Sequence, residues 1–387
     1  MKSTVARRMD GFSPFYVMEL LQRAKELEAQ GKEIIHMEIG EPDFPTPPNI
    51  VEAAMKYIQT AEVKYTAAAG LTELRSEIGR FYQKKYHVKI DPRRIFITPG
   101  ASGAFLLALG VSLNAEEELL MADPCYPCNH NFVRLMGGKA KVIDVDGQTD
   151  YQLSAQLIQQ NWSEKTKGVL IASPSNPTGT IISDQELERS IKQVSSLGGH
   201  FFSDEIYHGL VYGKKARSAL EFSEDVFVIN SFSKYFGMTG WRIGWGVVPE
   251  SYIDAAERLA QTIFISTATH SQYAALAAFS DRNIAELETR KAEFELRRDF
   301  LYENLIRLGF DIAVKPEGAF YIYANCSRFT EDSFQFAKDL LEQQGVAVTP
   351  GKDFGNNREN CHIRFAYTAS IAKITTGIER LEKFICQ

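Results

Sequence analysis

Residues 228–242 read VINSFSKYFGMTGWR, and this stretch decides the fold. It begins as an apolar, β-branched strand and ends in a turn rich in serine and glycine. The hydroxyls of Ser231 and Ser233 and the guanidinium of Arg242 suit a phosphate, because they donate charge-assisted hydrogen bonds. Lys234 lies between them, and a lysine beside a phosphate-bearing cofactor indicates an imine with an aldehyde, which points to pyridoxal phosphate (PLP). From this stretch alone, a surface turn with a solvated lysine is the simpler interpretation.

The composition limits the classes of protein to which the chain can belong. It has 387 residues, a length typical of two domains, and 44% of them are apolar. A net charge of −6 and a pI near 5.8 argue against a nucleic-acid partner. No apolar run approaches the roughly 20 residues of a membrane span, and residues 1–10 do not resemble a secretory signal. Five cysteines, an odd number, favour free thiols, and we therefore expect a cytoplasmic protein without a membrane partner.

Short apolar strands alternate with helices in the first two thirds of the chain. This order predicts a mostly parallel sheet that is covered by helices on both faces. The predicted strands are residues 94–98, 118–121, 141–145, 168–172, 200–203, 226–231 and 243–248, and the predicted helices between them are 102–111, 129–136, 154–161 and 183–195. Because parallel strands end at one edge of a sheet, we expect the active residues at these carboxyl ends.

The character of the sequence changes after Ser251, and the segments that follow predict a smaller α+β domain. Ser13 and Pro14 read as the N-cap and first residue of a helix that stops at Gly31. The other predicted helices are 47–57, 72–86, 251–265, 269–279, 283–308, 332–343 and 371–384, and the other predicted strands are 34–39, 318–323, 346–348 and 361–365. We predict a large domain over residues 41–280 and a small domain formed by residues 1–40 and 281–387.

Two loops that follow predicted strands supply groups for the same cofactor. Residues 99–104 read PGASGA, and such small residues allow amides at a helix N-terminus to approach an anion closely. Residues 173–179 read SPSNPTG, and the two prolines would hold the amide of Asn176 in place for a ring oxygen. Taken singly, the first loop is also an ordinary strand-to-helix turn and the second an Asx turn.

A third strand ends in a carboxylate. Asp204 follows the apolar residues 200–203, so partial burial is expected, and a buried carboxylate needs a cationic partner. A protonated pyridine nitrogen would serve, and the pair would keep that nitrogen charged. Tyr207 lies three residues further on and can reach the same ligand. The alternative is that Asp204 caps a helix.

Two cysteines have C-x-x-C spacing. Cys125 and Cys128 flank Tyr126 and Pro127, and His130 lies close in sequence. A redox site needs a thioredoxin-like context, and a zinc site needs a second pair of ligands, neither of which appears nearby. The metal and redox interpretations are therefore the weaker ones, and we expect no metal.

Over nearly its whole length the chain resembles the class I and II aminotransferases of PLP fold type I, the aspartate aminotransferase-like group. The order and spacing of several segments carry this resemblance, namely residues 40–43 (GEPD), Tyr65, 100–103, 126–127, 176–179 (NPTG), 204–207 (DEIY), 231–234 (SFSK), 240–244 (GWRIG) and Arg364. The resemblance implies an α/β fold with a three-layer αβα large domain and a smaller α+β domain, and PLP as the cofactor.

The resemblance also implies roles for individual residues. Lys234, Asp204 and Tyr207 are the implied catalytic residues. Lys234 would form the Schiff base and move the proton at the substrate Cα, and Asp204 would face the pyridine nitrogen. Tyr207 and Asn176 would bond the ring hydroxyl oxygen. The other implied cofactor-binding residues are Tyr126, stacked on the ring, and the phosphate-binding residues Ala101, Ser102, Ser231, Ser233 and Arg242.

Further implied positions concern the substrate and the neighbouring subunit. Gly40, Asn176 and Arg364 match substrate-binding positions, where Arg364 would hold the α-carboxylate by a bidentate fork. Tyr65 resembles the residue that reaches the phosphate of the neighbouring subunit, which implies a homodimer with shared sites. Packing at an interface for Tyr65 and a structural ion pair for Arg364 are the alternatives.

The implied activity is transfer of an amino group from an L-amino acid to a 2-oxo acid by ping-pong kinetics. A β-lyase on the same fold, which would release ammonia without an acceptor, is the alternative. The sequence leaves two alternatives for the pocket that would hold the substrate side chain. Relatives specific for dicarboxylates place a cation there, in some of them where this chain has Ser102, and Arg7, Arg8 or a partner residue could substitute. The aromatic residues Phe12, Phe15, Tyr16 and Phe264 could instead line an apolar pocket or belong to the core.

Overall fold

A seven-stranded sheet lies at the centre of the molecule, whose computed structural model describes residues 5–12 and 14–386. Its strands are β2 (Ile95–Thr98), β3 (Glu118–Asp123), β4 (Lys139–Asp144), β5 (Thr166–Ala172), β6 (His200–Asp204), β7 (Val226–Ser231) and β8 (Gly244–Val247). Their order across the sheet is β2-β8-β7-β6-β5-β3-β4, and β8 alone runs opposite to the other six strands. The prediction of a mostly parallel sheet is confirmed.

Apolar residues cover both faces of this sheet because alternate side chains of a strand point to opposite sides. In β7, Val226 and Val228 join one apolar cluster, whereas Phe227 and Ile229 join another. The helices that cover the two faces are α2 (Pro48–Thr60), α3 (Thr72–Tyr86), α4 (Gly100–Ser112), α5 (Cys128–Leu135), α6 (Ala155–Asn161), α7 (Asp184–Ser196), α8 (Ile253–Ile263) and α9 (Thr269–Ala277). None of the described helices has the length and apolar character needed to cross a membrane.

The C-terminal part forms a second, smaller arrangement. Its elements are α10 (Asp281–Leu308), β9 (Tyr321–Asn325), α11 (Ser333–Gln344), β10 (Val346–Ala347), β11 (Thr349–Pro350), β12 (His362–Ala366) and α12 (Ile371–Ile385). Strands β11, β12 and β9 form an antiparallel sheet in that order. Strand β1 (Ile35–His36) pairs in parallel with β10, which joins the N-terminal segment to this part. We propose that residues 1–40 and 281–387 form the small domain and residues 41–280 the large one, and this pairing supports the division.

The start of the first helix differs from the prediction. Helix α1 (Tyr16–Ala29) begins two residues after Pro14, and Ser13 lies outside the described residues. Its N-terminus is capped from a distant part of the chain, because the Asp353 carboxylate accepts the backbone N–H groups of Tyr16 and Val17 at 2.7 and 2.8 Å. A local sequence pattern cannot reveal a cap of this kind.

A strand in the C-terminal part is also shifted from its predicted position of 318–323. The N–H groups of Glu317 and Gly318 donate to Gly179, and the N–H of Ala319 donates to Leu210. Because these groups are bonded to the loops that follow β5 and β6 of the central sheet, the β9 ladder begins only at Tyr321.

Candidate active site

A cavity of about 530 Å³ opens at the carboxyl edge of the central sheet. Strands β2, β3, β5, β6 and β7 all end at this edge because they run in the same direction. The predicted site residues that line the cavity are Gly40, Ala101, Ser102, Tyr126, Asn176, Asp204, Tyr207, Ser231, Ser233, Lys234, Arg242 and Arg364. The topology therefore brings together groups that lie up to 324 positions apart in the chain, since the first of these residues is 40 and the last is 364.

Lys234 lies just beyond the end of β7, in the turn rich in serine and glycine. Its Nζ donates a hydrogen bond to the carbonyl oxygen of Gly40 at 2.7 Å. Burial, together with the positive charge of Arg364, lowers the pKa of Lys234 to about 8. A lowered pKa increases the fraction of neutral amine, which is the nucleophilic form.

Asp204, the last residue of β6, is a buried carboxylate without a cationic partner. It accepts one hydrogen bond, from the backbone N–H of Ile206 at 3.2 Å, and it forms no salt bridge with the described residues. Burial raises the pKa of Asp204 to about 7, although Ile206 and the charge of Lys234 oppose this. Since an isolated buried carboxylate is costly, a ligand that brings a positive charge fits this position. The protonated ring nitrogen of PLP is such a ligand.

Donors suited to a phosphate converge at another wall of the cavity. The Ser231 hydroxyl donates to Ser233 Oγ at 3.0 Å, and Arg242 Nη1 lies 3.4 Å from the same Ser233 oxygen. Ala101 and Ser102 lie in the first turn of α4, where free amides and the helix dipole favour an anion. Helix α4 begins at Gly100 with φ of +70°, and a Cβ there would lie 2.5 Å from Arg242 Nη2. Both observations explain why glycine stands at this position.

Arg364, on β12, is held in a fixed orientation before any substrate binds. Its Nη1 donates to Asn176 Oδ1 at 2.9 Å, and its Nη2 donates to Thr349 Oγ1 at 3.1 Å and to the Glu38 carbonyl oxygen. The guanidinium also lies 4.2 Å from the centre of the Tyr321 ring. Arg364 forms no salt bridge with the described residues and its buried Nε has no hydrogen-bond partner, so its charge is left for an anionic ligand.

The hydroxyl and amide groups beside Arg364 are also held in place by hydrogen bonds. The hydroxyls of Tyr207 and Tyr321 lie 2.9 Å apart. Burial raises the pKa of Tyr207 well above its usual range, which keeps its hydroxyl protonated and able to donate. Because Asn176 Oδ1 accepts from Arg364, its Nδ2 is left to donate elsewhere. A side chain at Gly40 would collide with the Tyr321 hydroxyl, so this position also requires glycine.

Several residues that line the cavity were not predicted from the sequence. Tyr321 and Thr349 contact Arg364, Phe354 lies 4.9 Å from its guanidinium, and Asp353 caps α1. They belong to short strands and turns without a recognisable motif. Of the four aromatic residues considered for the side-chain pocket, only Phe15 lines the cavity. Tyr16 packs against Phe334, and Phe264 joins an apolar cluster with α4.

Tyr65 is the predicted site residue that lies outside the cavity. Its side chain is 81% exposed, and it lines a separate surface depression with Tyr57, Lys64 and Tyr273. A single chain therefore does not bring Tyr65 to Lys234. Its role in a neighbouring site stays a prediction.

The two cysteines with C-x-x-C spacing flank Tyr126 at the cavity. Cys125 Sγ lies 3.4 Å from His130 Nε2, and all five cysteines are free thiols. Burial raises the pKa of the Cys125 thiol, which suppresses thiolate chemistry. Within the described part of the chain, no group of three or more His, Cys, Asp or Glu residues is arranged to hold a metal ion.

Comparisons with known proteins agree with this geometry. The family model described as "Aminotransferase class I and II" matches residues 32–381. The chain is 38% identical to the (5-formylfuran-3-yl)methyl phosphate transaminase of Methanocaldococcus jannaschii, covering 98% of this chain and 99% of that one. It is 35% identical to the valine–pyruvate aminotransferase of Mycobacterium tuberculosis, covering 97% of each. The crystal structure of an aminotransferase from Mycobacterium tuberculosis superposes with a TM-score of 0.96 at 34% identity, covering all of both chains.

The match to the family model covers most of the chain, and the cavity at the carboxyl edge of the sheet brings together a lysine, a buried carboxylate and two arginines. The chain belongs to the class I and II aminotransferases, which are PLP-dependent transaminases of fold type I.

Proposed function

We propose that the chain transfers the amino group of an L-amino acid to a 2-oxo acid by a ping-pong mechanism, with Lys234 linked to PLP as a Schiff base. One observation carries this proposal: a lysine with a lowered pKa, a buried carboxylate without a cation and a preorganised arginine line one cavity. PLP supplies an electron sink when it is bound. The protein supplies the proton transfer and the positioning.

Each of these side chains has a separate task in the proposal. Arg364 binds the substrate α-carboxylate through its planar fork. That contact places the substrate Cα within reach of Lys234, whose neutral amine removes and returns the Cα proton. Asp204 keeps the ring nitrogen protonated, and Asn176 and Tyr207 donate to the ring oxygen. The carbonyl of Gly40, which accepts from Lys234 Nζ at 2.7 Å, holds the amine on the substrate side of the cavity.

We further propose a homodimer in which Tyr65 of each subunit completes the phosphate site of the other. The exposure of Tyr65 supports this assembly, since a tyrosine that is 81% exposed is available to a second chain. Several apolar side chains of the same region are also exposed, among them Met55, Ile58 and Val63.

The proposed reaction is tested by following the cofactor and ammonia together. Holoenzyme mixed with an L-amino acid should convert the absorbance of the lysine-linked cofactor to that of its amine form, without release of ammonia. A 2-oxo acid added afterwards should restore the first spectrum. Sustained ammonia release in the absence of any 2-oxo acid would contradict transamination and indicate the β-lyase instead.

Replacing Asp204 with asparagine should stabilise the cofactor-free protein more at pH 8 than at pH 5, by about 2 kcal/mol. The Asp204 pKa is about 7 in the folded chain and near 3.9 when unfolded. Between these values the folded state binds more protons, so the wild-type free energy of unfolding falls as the pH rises towards 7. Asparagine carries no charge, so the free energy of unfolding of the variant does not fall in this way.

Urea unfolding of both cofactor-free proteins at the two pH values measures this difference. Asp184→Asn, an exposed carboxylate at the start of α7, is the matched control and should show no pH-dependent gain. Saturating PLP should stabilise the wild type more than Asp204→Asn, because only the wild type pairs with the ring nitrogen. An Asp204→Asn effect that is equal at pH 5 and pH 8 would contradict a raised pKa.

A further inference from the structure

Three of the described side chains that line the cavity are cationic, and the proposed function gives each of them a ligand. Lys234 binds the cofactor, Arg242 lies in the phosphate site, and Arg364 binds the substrate α-carboxylate. Among the side chains that the structure describes, which include that of Arg8 but not that of Arg7, no fourth cationic group lines the cavity. A second carboxylate on a substrate would therefore lose water on entering the cavity without gaining a cationic partner among these side chains, which is unfavourable.

Apart from Asp204 at the cofactor ring and three tyrosines, the other ionisable side chains that line this space are carboxylates. Glu38 is fully buried and pairs with His36 Nδ1 at 2.7 Å. Asp353 accepts two backbone N–H groups at the N-terminus of α1, and Glu41 accepts from the Thr239 hydroxyl. Their oxygens cannot donate to an incoming carboxylate, and like charges repel it.

The remaining wall is apolar and largely aromatic. It is formed by Phe15, Val17, Met18, Phe105, Phe132 and Phe354. The rings of Phe105 and Phe132 are stacked, with centroids 5.3 Å apart and an angle of 15° between their planes. These residues come from the N-terminal segment, α4, α5 and the turn before β12, so apolar side chains face the space from several directions. Such a surface gains free energy when it is covered by another apolar group.

We infer that the site accepts neutral L-amino acids with large apolar or aromatic side chains, and the corresponding 2-oxo acids, and that it discriminates against dicarboxylates. This inference rests on the proposed function, because it takes Arg364 as the α-carboxylate site. The absent fourth cation and the aromatic wall are independent observations that lead to the same class of substrate.

The test measures kcat/KM of the holoenzyme for L-phenylalanine, L-leucine, L-aspartate and L-glutamate, by conversion of the cofactor to its amine form. We expect the two neutral substrates to exceed both acidic ones by about 30-fold or more, the effect of leaving a buried charge unpaired. A kcat/KM for aspartate or glutamate that equals or exceeds the values for phenylalanine and leucine would overturn the inference. Such a result would indicate a cation from a second copy of the chain. If none of the four but some other L-amino acid converts the bound cofactor, the inference fails and the proposed function stands, whereas no conversion by any L-amino acid contradicts the proposed function as well.

A matched pair of variants isolates the charge. Met18 lines the cavity from α1 and is 55% exposed, so a longer polar side chain is tolerated there. Met18→Lys adds a cation, whereas Met18→Gln has a similar length and no charge. We expect kcat/KM for aspartate to be about 5-fold higher in Met18→Lys than in Met18→Gln, as for a partly exposed ion pair, and no comparable gain for leucine. Equal aspartate values in the two variants would contradict exclusion by a missing cation.

Discussion

Replacing Lys234 with alanine should lower kcat by about 10⁴-fold or more and remove the visible absorbance of the lysine-linked cofactor. Among the described residues, Lys234 is the lysine that lines the cavity, and burial has already lowered its pKa to about 8. Alanine removes both the nitrogen that binds the cofactor and the group that moves the Cα proton. The spectrum and the turnover rate of the purified variant, after incubation with PLP, measure the two losses separately.

Two further substitutions serve as controls for this result. Lys234→Arg keeps a positive charge but cannot form the linkage, so it should be as inactive as Lys234→Ala. Lys85→Ala removes a lysine outside the cavity, whose Nζ lies over the rings of Phe81 and Tyr86. This variant should keep both the visible absorbance of the lysine-linked cofactor and the turnover rate. A Lys234→Ala protein that keeps the band and the activity would exclude Lys234 as the catalytic residue.

The same substitution tests whether the sites are shared between subunits. Tyr65→Ala should lose activity because it weakens the phosphate site of its neighbour. When Tyr65→Ala and Lys234→Ala subunits are mixed and exchanged, each mixed dimer contains one intact site, with Lys234 from one subunit and Tyr65 from the other. Random exchange of equal amounts should restore about a quarter of the wild-type activity. Activity equal to the average of the two parents would contradict shared sites.

The central sheet could be predicted because its strands are short apolar runs between turn residues. The bounds of β7 agree with the predicted 226–231, and α3 agrees with the predicted 72–86. The helices of the C-terminal part also agree within two residues, but its short strands and the start of α1 were harder to predict, because contacts across the chain decide them. Strand β11 has two residues and no periodicity, and the cap of α1 comes from Asp353, more than 300 positions away.

The functional side chains likewise divide into those whose position could be predicted from the sequence and those whose position could not. Asp204, Asn176 and Lys234 follow strands, so the topology of a parallel sheet was enough to place them at one edge. Thr349 and Tyr321 contact Arg364 directly, and no spacing in the sequence relates these three residues. The aromatic wall was also missed apart from Phe15, because each of its residues reads as an ordinary core position of its own helix or turn.

Replacing Arg364 with lysine should lower kcat/KM for every amino acid by between about 30-fold and 10³-fold, mainly by raising KM. The guanidinium is held on two sides, by Asn176 and by Thr349, and it stacks on Tyr321 at 4.2 Å. Lysine keeps the charge but has neither the planar fork nor the stacking surface, so it cannot hold a carboxylate by two parallel hydrogen bonds. Steady-state kinetics with several amino acids measure the loss.

A structural role for Arg364 makes a different prediction. Arg298 is also buried and stacks on a tyrosine, with its guanidinium 4.8 Å from the Tyr212 ring, but it lies outside the cavity. Arg298→Lys should therefore lower stability without a selective rise in KM. If Arg364 binds the substrate carboxylate, Arg364→Lys should react with a simple primary amine, which has no carboxylate, as slowly as the wild type does. Equal losses for the amine and for the amino acids would show instead that Arg364 supports the fold rather than the substrate.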